Sequence, residues 1–235
     1  MATPECAKFD QFNTQTYTVA YKADNVYALL GNYLDKYVRN GMHIIEVGCG
    51  ANVPGLSWCS KNRNVTADIY EPSDMFHSAA KLIATLPGAA GYQAHHMAAD
   101  DIPASNPRKG DVLIFNRMLH EWRLYELKRT GSFDLAVELR KVAHACLNPG
   151  GIVILGDFSI PDGLPQAQLT REMEALRIRI GHTHPPQDYV TLPQANIALR
   201  EAPCSLAPLT VLESSLLNGV EHDTSRVYWM TAARL

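Results

Sequence analysis

The sequence lacks an excess of either charge and lacks any long hydrophobic run. It has 21 Lys and Arg against 24 Asp and Glu, a formal net charge of −3, and its basic residues are scattered rather than gathered into a stripe that could neutralise phosphates. No run approaches the roughly 18 apolar residues of a membrane helix, and Met1 to Phe9 has no apolar signal core. We therefore expect a cytoplasmic protein that binds neither nucleic acid nor a membrane.

Cysteine is scarce, with five residues and no CxxC pair. This excludes a disulfide framework and a zinc-finger spacing, so we expect free thiols in a reducing compartment. Hydrophobic residues make up 46% of the chain and charged residues 19%, which provides enough apolar side chain for a core and no sign of disorder. Because a chain of 235 residues fits one α/β domain, we expect residues 1–235 to form a single domain.

Apolar patterns along the first part of the chain predict strands that alternate with helices. Val26 to Val38 has the spacing of a helix that buries one face, with Asp24 as its N-cap. The apolar run His43 to Val47 then meets a glycine turn, as the first strand of a β-α-β series does. Further strands are predicted at residues 65–70, 111–115 and 151–158. This alternation implies a parallel sheet with right-handed crossovers.

The second half of the chain adds helices and a terminal hairpin. Ser132 is a candidate N-cap for a helix that ends before the turn Asn148 to Gly151. Beyond Pro161 a helical stripe appears, and Thr191 with Gln194 resembles a capping box. Runs at residues 209–217 and 226–235 suit an antiparallel hairpin at the sheet edge. The predicted fold class is an α/β, Rossmann-like, doubly wound sheet of seven strands, mostly parallel, with an antiparallel C-terminal hairpin strand.

The glycine turn Glu46 to Gly55 is the first sign of a ligand site, because glycines after a strand let the backbone approach a ligand closely. A nicotinamide fingerprint would require glycine at position 53, where the chain has Val53, and Pro54 disturbs the helix start that a pyrophosphate needs. The run instead resembles motif I of class I S-adenosylmethionine-dependent methyltransferases, E/D-x-G-x-G-x-G, with Asn52 in place of the third glycine. Asn tolerates a left-handed conformation best among non-glycine residues.

The resemblance extends through further segments in the family's order, and it implies roles for their residues. Glu71-Pro72-Ser73-Asp74-Met75 is similar to the segment whose acid binds both ribose hydroxyls, and Asp100-Asp101-Ile102-Pro103 is similar to the segment that contacts adenine. An alignment on Ile102 and Pro103 puts Ala98 at the position where the family has its adenine-binding acid. If the loop is one or two residues shorter, Asp100 takes that position. The implied cofactor is S-adenosylmethionine, and the implied cofactor-binding residues are Glu46, Gly48, Cys49, Gly50, Glu71, Pro72, Met75, Asp100, Asp101, Asn116 and Tyr21.

Other segments are candidates for the acceptor side, where methyl transfer requires alignment with the cofactor and exclusion of water. His120 follows the fourth strand and has the pKa class of a general base, the alternative being a histidine that only hydrogen-bonds backbone. Within residues 1–40, expected to form a helical lid, Tyr17 is a candidate acceptor contact. So are Trp122 and, within a helical acceptor-side insertion at residues 161–203, His182 and His184. Those two histidines lack a matching carboxylate, so we expect no metal.

These features together predict a methyltransferase that acts on a small molecule by in-line displacement, at O, N or C, with base assistance from His120. An alternative is a cofactor-binding protein or a non-methylating enzyme on the same fold, which the replaced third glycine favours. A homodimer is also an expectation.

Overall fold

The computed structural model describes residues 24–50, 53–85, 88, 89, 91–160, 165, 167–171, 174, 188–201, 205–220 and 223–235. They form one sheet of seven strands: β1 His43–Val47, β2 Thr66–Tyr70, β3 Tyr92–His95, β4 Gly110–Asn116, β5 Leu147–Ser159, β6 Thr210–Val220 and β7 Asp223–Arg234. Their order in the sheet is β3-β2-β1-β4-β5-β7-β6. Strands β1 to β5 pair in parallel, whereas β7 runs antiparallel to β5 and to β6. The predicted fold class is confirmed.

Within the described residues, six α-helices accompany the sheet: α1 Asp24–Tyr37, α2 Pro54–Asn62, α3 Asp74–Ile83, α4 Leu119–Thr130, α5 Leu135–Cys146 and α6 Leu192–Arg200. The predicted capping box of α6 is present, with the Thr191 side chain accepting from the Gln194 amide. The predicted N-cap of α5 is wrong. Asp134, not Ser132, caps it by accepting from the amides of Ala136 and Val137 at 2.9 and 3.2 Å.

The central strands have both faces buried, which explains their nearly continuous apolar sequences. Ile44, Val112 and Ile154 face the cluster that also contains α1 and α2 side chains. Their neighbours Ile45, Leu113 and Val153 face the cluster that contains α5 and α6 side chains. Because side chains alternate along a strand, these two clusters hold the sheet rigidly between helical layers and fix the positions of the strand ends.

The predicted turn before the fifth strand is instead part of it. Leu147 already pairs with Gly110, and the register shifts before Val112 pairs with Ile152. Gly150 supplies the positive φ of 80° that this irregularity requires. Among the described residues no helix is long and apolar enough to cross a membrane.

Candidate active site

A cleft lies at the carboxyl ends of β1, β2 and β4. Strand β1 has β2 on one side and β4 on the other, so the cleft sits where the strand order reverses, the usual ligand position in an open α/β sheet. Its lining combines the glycine turn, the end of β2, the loop after β3 and the start of α4. The lining residues are Val47, Gly48, Gly50, Glu71, Pro72, Ser73, Phe76, Ala98, Ala99, Arg117, Met118, Glu121, Trp122 and Tyr125.

The two glycines of the turn serve different purposes. Gly48 has a φ of 63°, and a Cβ there would lie 2.8 Å from the Met118 side chain. Gly50 has a φ of 58°, but a Cβ there would meet nothing within 4 Å. Gly48 is therefore required by packing as well as by backbone conformation, and Gly50 by conformation alone.

Glu71 lies in this cleft, as predicted. Its Oε1 accepts from the Ser73 amide and its Oε2 from the Gly50 amide, both at 3.0 Å. Burial raises the pKa of Glu71 to about 7 even though these hydrogen bonds oppose the rise. The Cys49 thiol also donates to Oε2, at 3.7 Å. Because a carboxylate oxygen can accept more than one hydrogen bond, these contacts fix the group while leaving it able to accept from a vicinal diol.

Glu46 and Cys49 support the turn from behind. The Glu46 carboxylate accepts from the amides of Gly55 at 3.1 Å and Leu56 at 2.8 Å, so it binds the first turn of α2, where a carboxylate is favoured. Burial still raises the pKa of Glu46 to about 7. Burial and the nearby Glu71 raise the pKa of the Cys49 thiol. Glu46 lies behind the cleft wall, and its predicted contact with the cofactor stays a prediction.

The loop after β3 does not bring Asp100 to the cleft. Its Oδ2 lies 2.9 Å from Nη2 of Arg129, and Asp100 lines a separate depression beside Glu126. Ala98 and Ala99 line the cleft instead, and Ala98 is the residue that an alignment on Ile102 and Pro103 puts at the position of the adenine-binding acid. Asp101 is exposed. The prediction that Asp100 binds the cofactor therefore has no support in this geometry, because its carboxylate is held by Arg129.

Two further predicted residues lie at the end of β4 and in α4, which follows it. Asn116 is buried, and its Oδ1 accepts from the Tyr228 hydroxyl at 2.5 Å. Trp122 lines the cleft and stacks on Phe115 with ring centroids 5.8 Å apart. Within the described residues, the Trp122 Nε1 has no hydrogen-bond partner. Trp122 was expected at the acceptor side, and the structure places it in the same cleft as Glu71. Pro72 lines that cleft also, whereas Met75 is only partly buried outside the lining.

His120 forms a buried dyad with Asp157, a residue that the sequence analysis did not identify. His120 Nδ1 lies 2.8 Å from Asp157 Oδ1, and the His120 amide donates to Asp157 Oδ2 at 3.0 Å. The Phe158 amide also donates to Asp157 Oδ1. Burial lowers the pKa of His120, but the charge and hydrogen bond of Asp157 outweigh it and raise that pKa. When Nδ1 donates to Asp157, Nε2 is the ring atom that accepts a proton.

Several predicted residues lie outside the described residues, namely Tyr17, Tyr21, His182 and His184. Conversely, eight lining residues received no ligand role from the sequence: Val47, Ser73, Phe76, Ala99, Arg117, Met118, Glu121 and Tyr125. Asp157 had one sequence signal, an acid at the end of the otherwise apolar strand β5, where parallel strands deliver side chains to the ligand edge. The sequence gives no comparable signal for Arg117.

No model of a protein family matches the sequence, and no curated protein matches it. Solved structures are similar over nearly the whole chain. A SAM-dependent methyltransferase from Geobacter sulfurreducens, solved with S-adenosyl-L-homocysteine, has a TM-score of 0.59 at 14% identity, covering 93% of this chain and 97% of its own. A mycolic acid cyclopropane synthase solved with the same ligand has a TM-score of 0.64 at 12% identity, covering 88% and 83%.

The cyclase SpnF is also similar, with a TM-score of 0.58 at 15% identity, covering 88% of this chain and 80% of its own. Identities at this level establish the fold. The chain therefore has the fold of the class I S-adenosylmethionine-dependent methyltransferases, as its motifs predict.

Proposed function

We propose that this protein is an enzyme that transfers a methyl group from S-adenosylmethionine to a small-molecule acceptor. The observation that carries the proposal is the Glu71 carboxylate, which lies in the cleft at the switch point and is anchored by the amides of Gly50 and Ser73. A carboxylate fixed beside a glycine turn at the end of β2 has the geometry to accept from both hydroxyls of a ribose.

The cleft residues fit the rest of the cofactor. Gly48 and Gly50 leave the backbone open toward the ligand, since neither carries a Cβ. Pro72, Phe76 and Ala98 form an apolar wall that suits a purine ring. The bound cofactor would supply an electrophilic methyl group on a positively charged sulfur.

The His120–Asp157 dyad gives the proposed mechanism its base. The bound cofactor would give its methyl group to a lone pair of the acceptor, and its sulfur would leave with the electrons of the broken bond. His120 is not itself part of the cleft lining, but its Nε2 lies 4.0 Å from Oε1 of Glu121, which is. When the acceptor is a hydroxyl, its proton would pass to His120 Nε2. Asp157 holds the imidazole orientation through Nδ1 and stabilises the cation that results. Transfer to oxygen is therefore the form of the reaction that this dyad favours.

Calorimetric titration with S-adenosylhomocysteine tests cofactor binding. The wild-type protein should bind, and Gly48→Val should not. A valine side chain there would collide with Met118, and the backbone at this position has a positive φ that valine disfavours. A second assay incubates the enzyme with methyl-labelled S-adenosylmethionine and a panel of small hydroxylated acceptors. Absence of binding by a folded wild-type protein would defeat the proposal.

A non-methylating enzyme on this fold is the second candidate. It is supported by the similarity to SpnF, which is named as a cyclase, and by the alanine at the adenine-acid position. This candidate predicts cofactor binding without formation of S-adenosylhomocysteine. Any stoichiometric methylated product would exclude it.

Two further parts of the proposal concern the cell and the assembly. We propose a cytoplasmic location and a homodimer. The dimer is supported by the outermost strand β6, which exposes 53% of Leu216 and 36% of Leu212, since an edge strand can pair with a copy of itself. Light scattering on the purified protein measures its mass directly, and a monomeric mass at micromolar concentration would refute the dimer.

A further inference from the structure

Three charged side chains outside the cleft join two of its walls. Asp100 belongs to the loop after β3, whose residues Ala98 and Ala99 line the cleft, whereas Glu126 and Arg129 belong to α4, whose first turns line it. We propose, on the basis of the proposed function, that Arg129 is a positioning residue that holds this loop against α4. It would thereby fix the wall that faces the adenine of the cofactor.

The guanidinium of Arg129 contacts both carboxylates. Its Nε and Nη2 donate to the two oxygens of Glu126 at 3.0 and 2.7 Å, and Nη2 also lies 2.9 Å from Oδ2 of Asp100. The donors of a guanidinium have fixed directions in one plane, so this contact sets orientation as well as distance. Because one nitrogen serves both acids, Arg129 fixes the separation of the loop from the helix.

The two acids carry more negative charge than Arg129 neutralises. The side chains of Asp100 and Glu126 are only 8% and 6% exposed, so water screens their repulsion weakly. Burial, a hydrogen bond with Glu126 and the charge of Glu126 raise the pKa of Asp100 to about 6. Below this pKa a proton joins the two carboxyl groups, and above it Arg129 holds them together.

The other charges near these three side chains do not replace Arg129. The charge of Asp101, the next residue in the loop, adds to the repulsion on Asp100. The Tyr125 ring of α4 lies 6.0 Å from the central carbon of the Arg129 guanidinium. The other charged residues among the described lining of the adjoining depression are Asp134, Glu138 and Lys141. In that lining the second cation, Lys141, is already paired with Glu138 at 2.8 Å.

Loss of Arg129 should therefore matter only when both acids are ionised. Two buried like charges would then separate the loop from α4. The cleft would widen between Ala99, next to Asp100, and Tyr125, next to Glu126. A residue that stabilised α4 alone would show no such dependence on pH.

Calorimetric titration with S-adenosylhomocysteine at about pH 5 and about pH 8.5, on either side of the raised pKa, tests the assignment. The proteins are the wild type, Arg129→Met, the double variant Arg129→Met/Glu126→Gln and the control Lys141→Met. Lys141 is 49% exposed against 48% for Arg129, and its ion pair with Glu138 lies within α5. Each affinity is compared with that of the control at the same pH, which cancels the titration of Glu71 and of the ligand. Melting temperatures at both pH values show which proteins are folded.

At about pH 8.5 Arg129→Met should bind about tenfold more weakly than the control, the lower end of the range for a hydrogen bond to a charged group. At about pH 5 a shared proton replaces the cation, so the two affinities should agree within about twofold. The double variant lacks the repulsion between two carboxylates and should regain the affinity of the control at about pH 8.5.

Equal weakening of Arg129→Met at both pH values, or no weakening at the higher one, would overturn the inference while leaving the proposed function intact. Failure of Glu126→Gln to restore binding would also overturn it. If Arg129→Met is unfolded at the higher pH, the double variant decides the matter, because it should be folded there and bind as the control does. Failure of the wild type to bind at either pH would overturn both the inference and the proposed function.

Discussion

Replacing Asp157 by asparagine separates a catalytic role of His120 from a structural one. Asp157 is fully buried on β5 and accepts from the His120 ring, the His120 amide and the Phe158 amide. Asparagine has nearly the same size but no negative charge. Both oxygens of Asp157 accept hydrogen bonds, so the amide nitrogen of asparagine would face a donor where an oxygen now accepts. The change thus leaves His120 in place while removing what raises its pKa.

The expected magnitude follows from that hydrogen bond. A hydrogen bond to a charged group contributes about 1.5 to 3 kcal/mol, which corresponds to about tenfold to a hundredfold in rate if it acts on the transition state. Burial alone lowers the pKa of His120. In Asp157→Asn that pKa should therefore fall. A weaker and less well oriented base lowers the maximal turnover as well.

The assay is turnover with a saturating acceptor as a function of pH. A general base must be deprotonated, so wild-type turnover rises with pH through the raised pKa of His120. In Asp157→Asn the rise should move to lower pH and reach a lower plateau, with the affinity for S-adenosylhomocysteine unchanged. Asp35→Asn, at an exposed acid that pairs with Arg63, is the matched control and should leave the profile unchanged.

Two results would refute the reasoning. One is an unchanged pH profile in Asp157→Asn at a melting temperature close to that of the wild type. The other is a variant His120→Ala whose turnover stays within a few-fold of wild type, since loss of a general base costs about a hundredfold or more.

Three further predictions concern stability. Burial raises the pKa of Glu46 to about 7 in the folded protein, from a usual value of 4.5. The free energy of unfolding should therefore fall by about 3 kcal/mol as pH rises from about 4.5 to about 7, because only the unfolded chain loses this proton readily. In urea unfolding, Glu46→Gln should reduce this loss, and an unchanged dependence on pH would contradict the prediction. Burial raises the pKa of Asp68, but hydrogen bonds from His43 and His95 outweigh it and lower that pKa. The stability that these bonds contribute is present above the usual pKa of an aspartate and is lost as pH falls through the lowered value. Asp68→Asn should therefore lower the free energy of unfolding by about 1 to 3 kcal/mol near neutral pH, and no change by calorimetry would refute the pairing. Arg140 is fully buried, and its Nε and Nη1 have no hydrogen-bond partner among the described residues. Arg140→Met should therefore be neutral or stabilising by up to about 2 kcal/mol, and a lower melting temperature would contradict this.

The parts of the site that sequence predicts are those set by local pattern. The glycine turn after β1 and the acid Glu71 after β2 follow short apolar runs, and parallel strands deliver their carboxyl ends to one edge. The glycine turn and Glu71 are distant in the sequence, but they lie together because β1 and β2 are neighbouring parallel strands. The same rule places His120 near that edge, because it follows β4.

The parts that sequence does not predict depend on which side chains meet across elements. The contact between Asp157 and His120 could not be predicted, because it depends on the pairing of β5 with β4, which brings the carboxylate to the imidazole. Asp100 matches a motif by position, yet an ion pair with Arg129 from α4 turns it from the cleft. Arg117 acquires its place from a positive φ that no residue pattern indicates, since arginine is an uncommon residue in that conformation. At α5, Ser132 and Asp134 are both good caps, and the choice depends on where the helix starts.

A crystal structure of the protein with S-adenosylhomocysteine tests the central claim most directly. Both ribose hydroxyls should donate to the Glu71 carboxylate, and the amino-acid part should lie along Gly48 and Gly50. A ligand bound elsewhere, or one whose ribose does not contact Glu71, would contradict it.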